Sequence, residues 1–285
     1  MAMILRRELR HANRVGLLGD VHADLNHVLA ATGMLNHKGI KLVVQLGDFG
    51  FVWNGPGREA TLDRLDQFLH SRAQTLLFLD GNHEDFDLLE SFPISSDGVR
   101  WIRDYIGHLP RGYRTRLISG HSLAVLGGAN SIDVGYRQRG SSWWEQEQIT
   151  DEDDLARLGT QHADVLLSHD APLHVPALDA TLRSADKYWP PRSLAYARAG
   201  RRMFHKGFLQ VRPQLSIGGH YHQFIDATVD YELPDGAFTS RVIVLDEGGT
   251  FRGNCAILTL PTLDIEVFDV EGRPYPERDD DDEQE

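Results

Sequence analysis

Seven side chains of the types that bind metal ions follow short apolar segments of this chain. The clearest case is Gly81-Asn82-His83-Glu84, which comes directly after the apolar run Thr75 to Leu79. Four other segments share this design: Val15 to Leu18 before Asp20 and His22, Leu42 to Leu46 before Asp48, Val165 to Leu167 before His169, and Leu215 to Ile217 before His220 and His222. Since open α/β sheets place functional residues beyond the carboxyl ends of their strands, the five segments predict one shared site.

The predicted ligands combine imidazole nitrogens with carboxylate and amide oxygens, a set that borderline divalent metals accept. They are Asp20, His22, Asp48, Asn82, His169, His220 and His222. Seven ligands are too many for one tetrahedral ion. They suit two ions about 4 Å apart that share a carboxylate and a solvent molecule, the geometry used for in-line attack on phosphorus. Gly-Asn-His-Glu alone also suits an ordinary turn, so the prediction depends on the five segments together.

Alternation of strands and helices predicts the elements that position these residues. Helical spacing of apolar residues over Asp24 to Asn36 and over Arg58 to Ser71 places a helix after each of the first two strands. Apolar strands alternating with helices favour a sheet that is partly parallel and covered by helices. Beyond His222 the chain is rich in β-type segments, which predict a second, mostly antiparallel sheet. The expected fold is α/β, a layered sandwich of two mixed β-sheets flanked by helices.

Three further elements are predicted between the motifs. Ser119-Gly120-His121 lies between two apolar runs and predicts a hairpin. Thr150, with Asp153 three residues later, predicts a helix start, and that helix is expected to end near Gly159. A second helix is expected from Ser193 to Phe204, after a polar region that prolines interrupt.

Length and composition predict one domain with a charged tail. The chain has 285 residues and its predicted ligands run from Asp20 to His222, so residues 1–276 are expected to form a single domain. Residues 277–285 carry seven acids and one arginine, which contribute −6 of the net charge of −13 and predict a disordered tail. A stable nucleic-acid partner is not expected from this charge, although local groups of arginines occur. A single cysteine, Cys255, and the lack of a signal peptide or a long apolar run predict a cytoplasmic protein without a membrane partner.

Taken together, the motifs resemble those of the calcineurin-like metallophosphoesterase family. The resemblance spans about Val15 to Phe224, and its motifs are Gly19-Asp20-Val21-His22, Gly47-Asp48, Gly81-Asn82-His83-Glu84, Ser168-His169 and Gly219-His220-Tyr221-His222. It implies that Asp20, His22 and His222 hold one metal ion. It implies that Asn82, His169 and His220 hold the other, and that Asp48 bridges the two. Manganese is the metal that we expect first, with iron or zinc as alternatives.

The same resemblance assigns a catalytic role to His83. In this family such a histidine contacts the substrate phosphate or protonates the leaving oxygen, which suits a side chain that titrates near neutral pH. The implied reaction is attack of a bridging hydroxide on phosphorus.

Departures from the family pattern narrow the expected substrate. The serine/threonine protein phosphatases of this superfamily carry phosphate-binding arginines after the second motif and before Gly-Asn-His-Glu. Here Gly47-Asp48 continues as Phe49-Gly50-Phe51, and Asp80 occupies the second position. Less positive charge fits a phosphodiester, so the chain resembles the bacterial and phage phosphodiesterase branch, with cyclic nucleotides, including 2',3'-cyclic ones, as expected substrates. The alternatives are a small-molecule phosphomonoesterase, a nuclease, or a non-catalytic metal-binding scaffold.

Contacts to the substrate are predicted only in outline. Arg137 and Arg139 are hypothesised to bind a phosphate, and Trp143 to stack on a base, since aromatic faces stack readily on bases. Other aromatic residues that suit stacking are Phe51, Trp53, Tyr136 and Trp144. The opposing interpretation is that Trp143 and Trp144 are packing residues and that the arginines are solvated.

Overall fold

Two mixed β-sheets pack face to face in a computed structural model that describes residues 6–249 and 253–273. In the described residues the strands are, in chain order, β1 Arg14–Leu18, β2 Leu42–Gln45, β3 Thr75–Phe78, β4 Arg100–Trp101, β5 Ile106–His108, β6 Arg114–Arg116, β7 Ser122–Leu126, β8 Val165–Ser168, β9 Leu215–Gly218, β10 Ile225–Leu233, β11 Gly236–Val244, β12 Cys255–Thr259 and β13 Asp264–Phe268. The first sheet has the order β13-β12-β1-β2-β3-β5-β4, and the second has the order β10-β11-β9-β8-β7-β6.

The centre of each sheet is parallel and its margins are antiparallel. Strands β1, β2, β3 and β5 run parallel in the first sheet, and β7, β8, β9 and β11 run parallel in the second. Every residue of β2, β3, β8 and β9 is buried, as expected for parallel strands that are covered on both faces. A shared apolar core that includes Val44 and Leu77 of the first sheet and Val125 and Leu167 of the second fills the space between them.

Helices cover the outer faces of the two sheets. They are α1 Leu25–His37, α2 Arg58–Ser71, α3 Phe86–Ser91, α4 Ala156–Leu158, α5 Pro176–Ala185 and α6 Pro191–Val211, with the π-helical turn Asp151–Leu155 leading into α4. Helices α1 and α2 pack on the first sheet through residues such as Val28 and Leu65. Phe204 and Phe208 of α6 pack on the second sheet. The Asp24 side chain begins α1 by accepting a 3.0 Å hydrogen bond from the backbone N–H of His27.

The predicted fold class, a layered α/β sandwich, is confirmed. The prediction that the C-terminal strands form their own, mostly antiparallel sheet is wrong. Strand β12 pairs with β1 at the margin of the first sheet, whereas β11 pairs in parallel with β9 in the second. Each pairing covers a strand edge that would otherwise expose unpaired backbone groups, so both sheets recruit strands from this region.

Helix boundaries differ from the sequence prediction where tertiary contacts dominate. Helix α6 is longer than expected, because it begins at Pro191, where proline suits the first turn, and continues to Val211. Helix α5 was not predicted. At the predicted helix start, the Asp154 carboxylate, rather than that of Asp153, accepts the 2.9 Å hydrogen bond from the backbone N–H of Thr150.

Among residues 6–249 and 253–273, no helix is both long and apolar enough to cross a membrane. The acidic segment 277–285 lies outside the described residues. The division into one domain and a tail therefore stays a prediction.

Candidate metal centre

The predicted ligands lie together where strands of both sheets end. Strands β1, β2 and β3 are parallel neighbours, and so are β8 and β9, so the loops that follow them emerge at corresponding edges of the sandwich. Packing of the two sheets against each other brings residues that are far apart in sequence into contact. His22 and His222 are separated by 200 positions, yet their Nε2 atoms lie 3.2 Å apart.

One group of ligand atoms faces solvent. It consists of Asp20, His22 and His222, whose ligand atoms all lie within 4.8 Å of one another. The Asp20 carboxylate is buried, and its Oδ2 lies 3.2 Å from Nε2 of His222 and 4.0 Å from Nε2 of His22. Both histidines are exposed, so this group forms the open side of the cluster.

The second group is buried. Nε2 of His169 lies 3.1 Å from Oδ1 of Asn82 and 3.4 Å from Oδ1 of Asp48, and these three side chains are all buried. The His220 ring is next to that of His169, with their centroids 4.9 Å apart. Asn82, His169 and His220, which lie together here, are the residues that the family resemblance implies for the second ion.

Two carboxylates stand between the groups. Oδ1 of Asp48 faces His169, and Oδ2 of Asp48 lies 4.0 Å from Nε2 of His22. Asp20 makes a similar bridge, because its Oδ1 lies 3.9 Å from Nδ1 of His169 while its Oδ2 faces His222. Asp48 therefore lies between the two groups, and Asp20 lies closer to both groups than the sequence indicated.

The donor set has the chemistry of a group that could hold a metal ion. Nδ1 of His169 lies 2.8 Å from the Leu46 carbonyl oxygen, a contact that fixes the ring and directs Nε2 toward two oxygens. Metal-binding histidines characteristically donate their other ring N–H to a carbonyl or carboxylate in this way. An imidazole nitrogen, a carboxylate and an amide oxygen that lie this close together are of the types that a borderline divalent ion accepts.

Electrostatics in the cluster are dominated by the two acids. Burial acts against charge on His169, but the carboxylates of Asp48 and Asp20 raise the pKa of this histidine to about 10. Burial likewise disfavours the charged form of Asp48, yet the neighbouring imidazoles of His169 and His83 hold its pKa well below the usual value. For His220, burial and the charge of His169 lower the pKa. The pocket thus favours the anionic form of Asp48.

Glycines allow the backbone to approach these side chains closely. A Cβ atom on Gly81 would lie 2.1 Å from Oδ1 of Asp48, and one on Gly219 would lie 2.2 Å from Oδ1 of Asp20. The ligand residues themselves adopt strained backbone geometry, with φ of 57° at Asp48 and 72° at His220. Such conformations persist only where the surroundings enforce them, and they concentrate at functional sites.

His83 lies beside the cluster at the base of an open cavity. Its backbone N–H donates a 2.7 Å hydrogen bond to Oδ1 of Asp48, and its ring packs edge-on against that of His22 with centroids 5.4 Å apart. Burial lowers the pKa of His83, the Asp48 carboxylate opposes this, and the Arg137 guanidinium adds to the lowering. The imidazole is half-buried and lines the cavity, so it can meet a bound molecule.

The three predicted substrate contacts lie outside the lining of this cavity. Arg137 is nearly buried and lies beneath the cluster, where its Nη1 donates to the Asn82 carbonyl oxygen at 3.2 Å and to the Ser131 hydroxyl. Arg139 is exposed and pairs with Glu145 at 2.7 Å. Trp143 is half-buried in the same loop as Arg139. In this structure Arg137 supports the backbone of Asn82, while Arg139 is exposed to solvent.

Asp80 explains one departure from the family pattern. Its buried carboxylate accepts a 2.7 Å hydrogen bond from Nε of Arg111, and its Oδ1 lies 3.1 Å from Nε2 of His108. Burial disfavours its charge, but the Arg111 guanidinium holds the pKa of Asp80 below its usual range. Asp80 is thus a structural ion-pair residue behind the cluster, and it does not line the cavity that His83 faces.

Supporting residues that sequence reasoning missed hold the ligand loops in place. The Glu84 carboxylate accepts hydrogen bonds of 2.7 Å and 3.2 Å from the backbone N–H groups of Phe49 and Gly50, directly after Asp48. The Ser131 hydroxyl accepts a 3.1 Å hydrogen bond from Nδ2 of Asn82. This contact orients the amide so that its Oδ1 faces His169. Glu84 belongs to a recognised motif, so its spacing was a usable signal; no comparable signal marked Ser131.

These features define the class of fold. A sandwich of two mixed sheets, with histidine, carboxylate and amide side chains on the loops at the ends of its parallel strands, is the architecture that the resemblance to the calcineurin-like metallophosphoesterases implies. Comparison of the sequence with protein-family models found no match, and comparison with curated proteins found none.

Solved structures share the architecture at low sequence identity. Matches were found with 54 chains. One crystal structure aligns over 90% of this chain and 99% of its own, with a TM-score of 0.55 and 11% identity. The protein TT1561 of Thermus thermophilus aligns over 90% of this chain and 98% of its own, with a TM-score of 0.48 and 11% identity. A dimetal phosphatase from Danio rerio aligns over 86% and 92%, with a TM-score of 0.46 and 13% identity. At these identities the similarity concerns the fold alone.

Proposed function

We propose that this protein is a metal-dependent phosphodiesterase with two metal ions. The observation that carries the proposal is the convergence of all seven ligand-type side chains, from five separate strand ends, beside a cavity that His83 lines. Asp20, His22 and His222 would hold one ion, and Asn82, His169 and His220 the other, with Asp48 between them. Bound ions would supply positive charge for the phosphoryl oxygens and a water molecule of lowered pKa.

The chain's own groups support hydrolysis in complementary ways. His83 reaches the cavity and is assigned the transfer of a proton to the leaving oxygen, work that a positioned imidazole performs near neutral pH. Its backbone is tied to Asp48, so its position relative to the ligands is fixed. Arg137 holds the Asn82 loop from below and is assigned a supporting role.

The substrate is proposed to be a diester because the position that holds an arginine in the protein phosphatases contains Asp80, which is buried against Arg111. A diester carries one negative charge and requires less compensation than a monoester dianion. Cyclic nucleotides, including 2',3'-cyclic nucleotides, stay the first substrates to examine, with manganese as the first metal. The cytoplasmic setting expected from the sequence also stays a prediction.

The test is hydrolysis by chelator-stripped protein to which manganese is restored stepwise. The substrates are bis(4-nitrophenyl) phosphate, 2',3'-cyclic AMP, 3',5'-cyclic AMP and the monoester 4-nitrophenyl phosphate. Metal-dependent cleavage of a diester at a rate above that of the monoester is expected. Preference for the monoester would favour a phosphomonoesterase, and inactivity with every substrate and metal would refute the proposal.

Replacing the proposed general acid separates catalysis from metal binding. His83→Ala is expected to keep two metal ions per chain and to lose about 10²–10⁴-fold in turnover, the contribution typical of a general acid. His37→Ala, at an exposed position of α1, is the matched control and is expected to behave as the unsubstituted protein. Unchanged turnover in His83→Ala would refute the assigned role.

A further inference from the structure

The cavity beside the metal cluster is much larger than a phosphate group. It has a volume of about 660 Å³ and begins at Asp48, Asn82 and His83. It then extends to the pair of helices α5 and α6. This volume falls within the range of about 300–1,000 Å³ that is typical of pockets for organic ligands. The space next to the reacting position can therefore hold an organic group together with the phosphate.

The far wall of this cavity is mainly apolar. Leu173, Leu182, Leu194 and Ala197 line it, together with the indole of Trp189, which is half-buried in the connection between α5 and α6. Across the described part of the chain, no aromatic ring contacts the Trp189 indole, and the indole N–H donates no hydrogen bond. An aromatic face that lies on a cavity wall without a stacked neighbour offers a binding surface for another ring.

Contacts to the loops after β7 and β8 hold this wall in place. The buried Arg201 of α6 pairs with Asp179 of α5 at 2.8 Å, and its Nε donates a 3.2 Å hydrogen bond to the Ala171 carbonyl oxygen, two residues after His169. Nδ2 of Asn130 donates a 2.9 Å hydrogen bond to the Tyr196 carbonyl oxygen. The apolar wall and the ligand cluster are thus parts of one fixed framework.

Two arginines complete the cavity, whose other charged lining residues away from the cluster are paired: Asp179 with Arg201, Asp186 with Arg198 and Asp133 with Arg137. Arg183 of α5 and Arg202 of α6 both line it, and both side chains are exposed. Neither forms an ion pair with any residue that the structure describes. Their charge complements an anionic ligand, whereas the adjacent wall complements an apolar one.

We propose that the cavity binds an aromatic ester group of the substrate, with its ring against Trp189 and between Leu182 and Leu194. The occupant is the substrate itself because one continuous cavity joins this wall to the metal-cluster residues and to His83. The inference rests on the proposed function and names its substrate class: phosphodiesters in which the group that is retained after cleavage carries a flat ring. Stacking on Trp189 then contributes to binding, and Arg183 and Arg202 attract the anion.

Two diesters with the same leaving group test this assignment. Bis(4-nitrophenyl) phosphate and methyl 4-nitrophenyl phosphate both release 4-nitrophenol, but one retains an aromatic ester and the other a methyl ester. The ratio of their kcat/KM values in the manganese-loaded enzyme measures the preference for the ring. Trp189→Ala is expected to lower this ratio about tenfold, the loss typical of one stacked ring. The loss is expected mainly in KM, since stacking acts on bound substrate and transition state alike.

Matched variants separate stacking from general disturbance. Trp189→Phe keeps a ring and is expected to retain most of the preference, and Leu194→Ala is expected to reduce it without removing Trp189. Tyr188→Ala removes the neighbouring aromatic residue, which is 73% exposed and does not line the cavity, and is expected to leave the ratio unchanged. A ratio in Trp189→Ala equal to that of the unsubstituted enzyme, or an equal fall in Tyr188→Ala, would overturn the proposal.

Equilibrium binding supplies a readout that does not depend on turnover. Phenylphosphonate and methylphosphonate contain a P–C bond that hydrolysis does not cleave, and their binding to the manganese-loaded protein is measured by calorimetry. Tighter binding of phenylphosphonate, reduced about tenfold by Trp189→Ala, supports the cavity assignment even if no diester is cleaved, in which case only the proposed function fails. Equal binding of the two phosphonates would overturn the assignment, and metal-dependent diester cleavage would then leave the proposed function standing.

Discussion

Replacing Gly81 with alanine tests whether the metal cluster depends on close packing between the β3 loop and Asp48. A Cβ atom at this position would lie 2.1 Å from Oδ1 and 2.3 Å from the backbone nitrogen of Asp48. Ordinary van der Waals contact begins near 3.4 Å, so the carboxylate or the loop has to retreat by about 1 Å. Both atoms belong to a ligand residue held by the backbone N–H groups of Asn82 and His83, so the shift cannot be absorbed by a flexible side chain.

The expected loss follows from that displacement. A misplacement of about 1 Å in a catalytic site can cost about 10²-fold in rate. Disturbance of groups that orient metal ligands typically costs about 10–100-fold in metal affinity or activity. We therefore expect Gly81→Ala to bind manganese about 10–100-fold more weakly and, at saturating metal, to turn over a diester about 100-fold more slowly.

The assay combines calorimetric titration of chelator-stripped protein with manganese and steady-state hydrolysis of bis(4-nitrophenyl) phosphate. Gly33→Ala is the control, because a Cβ there meets only Phe68 at 3.8 Å and alanine favours the helix interior. Gly219→Ala, which would place a Cβ 2.2 Å from Oδ1 of Asp20, tests the other acid in the same way. Metal affinity and turnover of Gly81→Ala equal to those of Gly33→Ala would refute the reasoning.

Three further predictions concern stability. Arg111→Met leaves the buried carboxylate of Asp80 without its guanidinium partner. It is expected to lower the free energy of unfolding, measured by urea titration, by about 3–5 kcal/mol, and the added substitution Asp80→Asn is expected to restore part of the loss. A single variant as stable as the unsubstituted protein would contradict this. Burial, and then the charges of His174 and Arg201, lower the pKa of His205 to about 4, so the unfolded chain gains a proton near pH 6.5 that the native state takes up only near pH 4. Stability is therefore lost as the pH falls through this window, and His205→Phe should flatten the profile measured by denaturation at pH 7.5 and pH 5. An unchanged slope would argue against this origin. Manganese at about 100 times its Kd should add about 2.7 kcal/mol per bound ion to the stability of the stripped protein, seen as a rise in Tm. No rise would count against a metal site.

Much of the fold was predictable because its signals are local. Apolar runs that precede Asp20, Asp48 and Asn82 predicted parallel strands with ligand-type residues beyond their carboxyl ends, and the structure contains those strands. The layered sandwich followed from the same alternation of strands and helices. The pairing of the C-terminal strands was not predictable, because which sheet edge is available to β11 or β12 depends on the whole assembly.

The tertiary structure alone decided how the site is built. The sequence determined that Asp20, His22 and His222 are ligand-type residues, since residue chemistry and strand context are written locally. Contact across 200 positions, which brings His22 to His222, and the placement of Asp20 between the two groups depend on the packing of one sheet against the other. The cavity wall at Trp189 likewise forms only when α5 and α6 pack near the loops that carry the predicted ligands. Sequence periodicity indicates which face of a helix is apolar, but it does not indicate which part of the protein that face contacts.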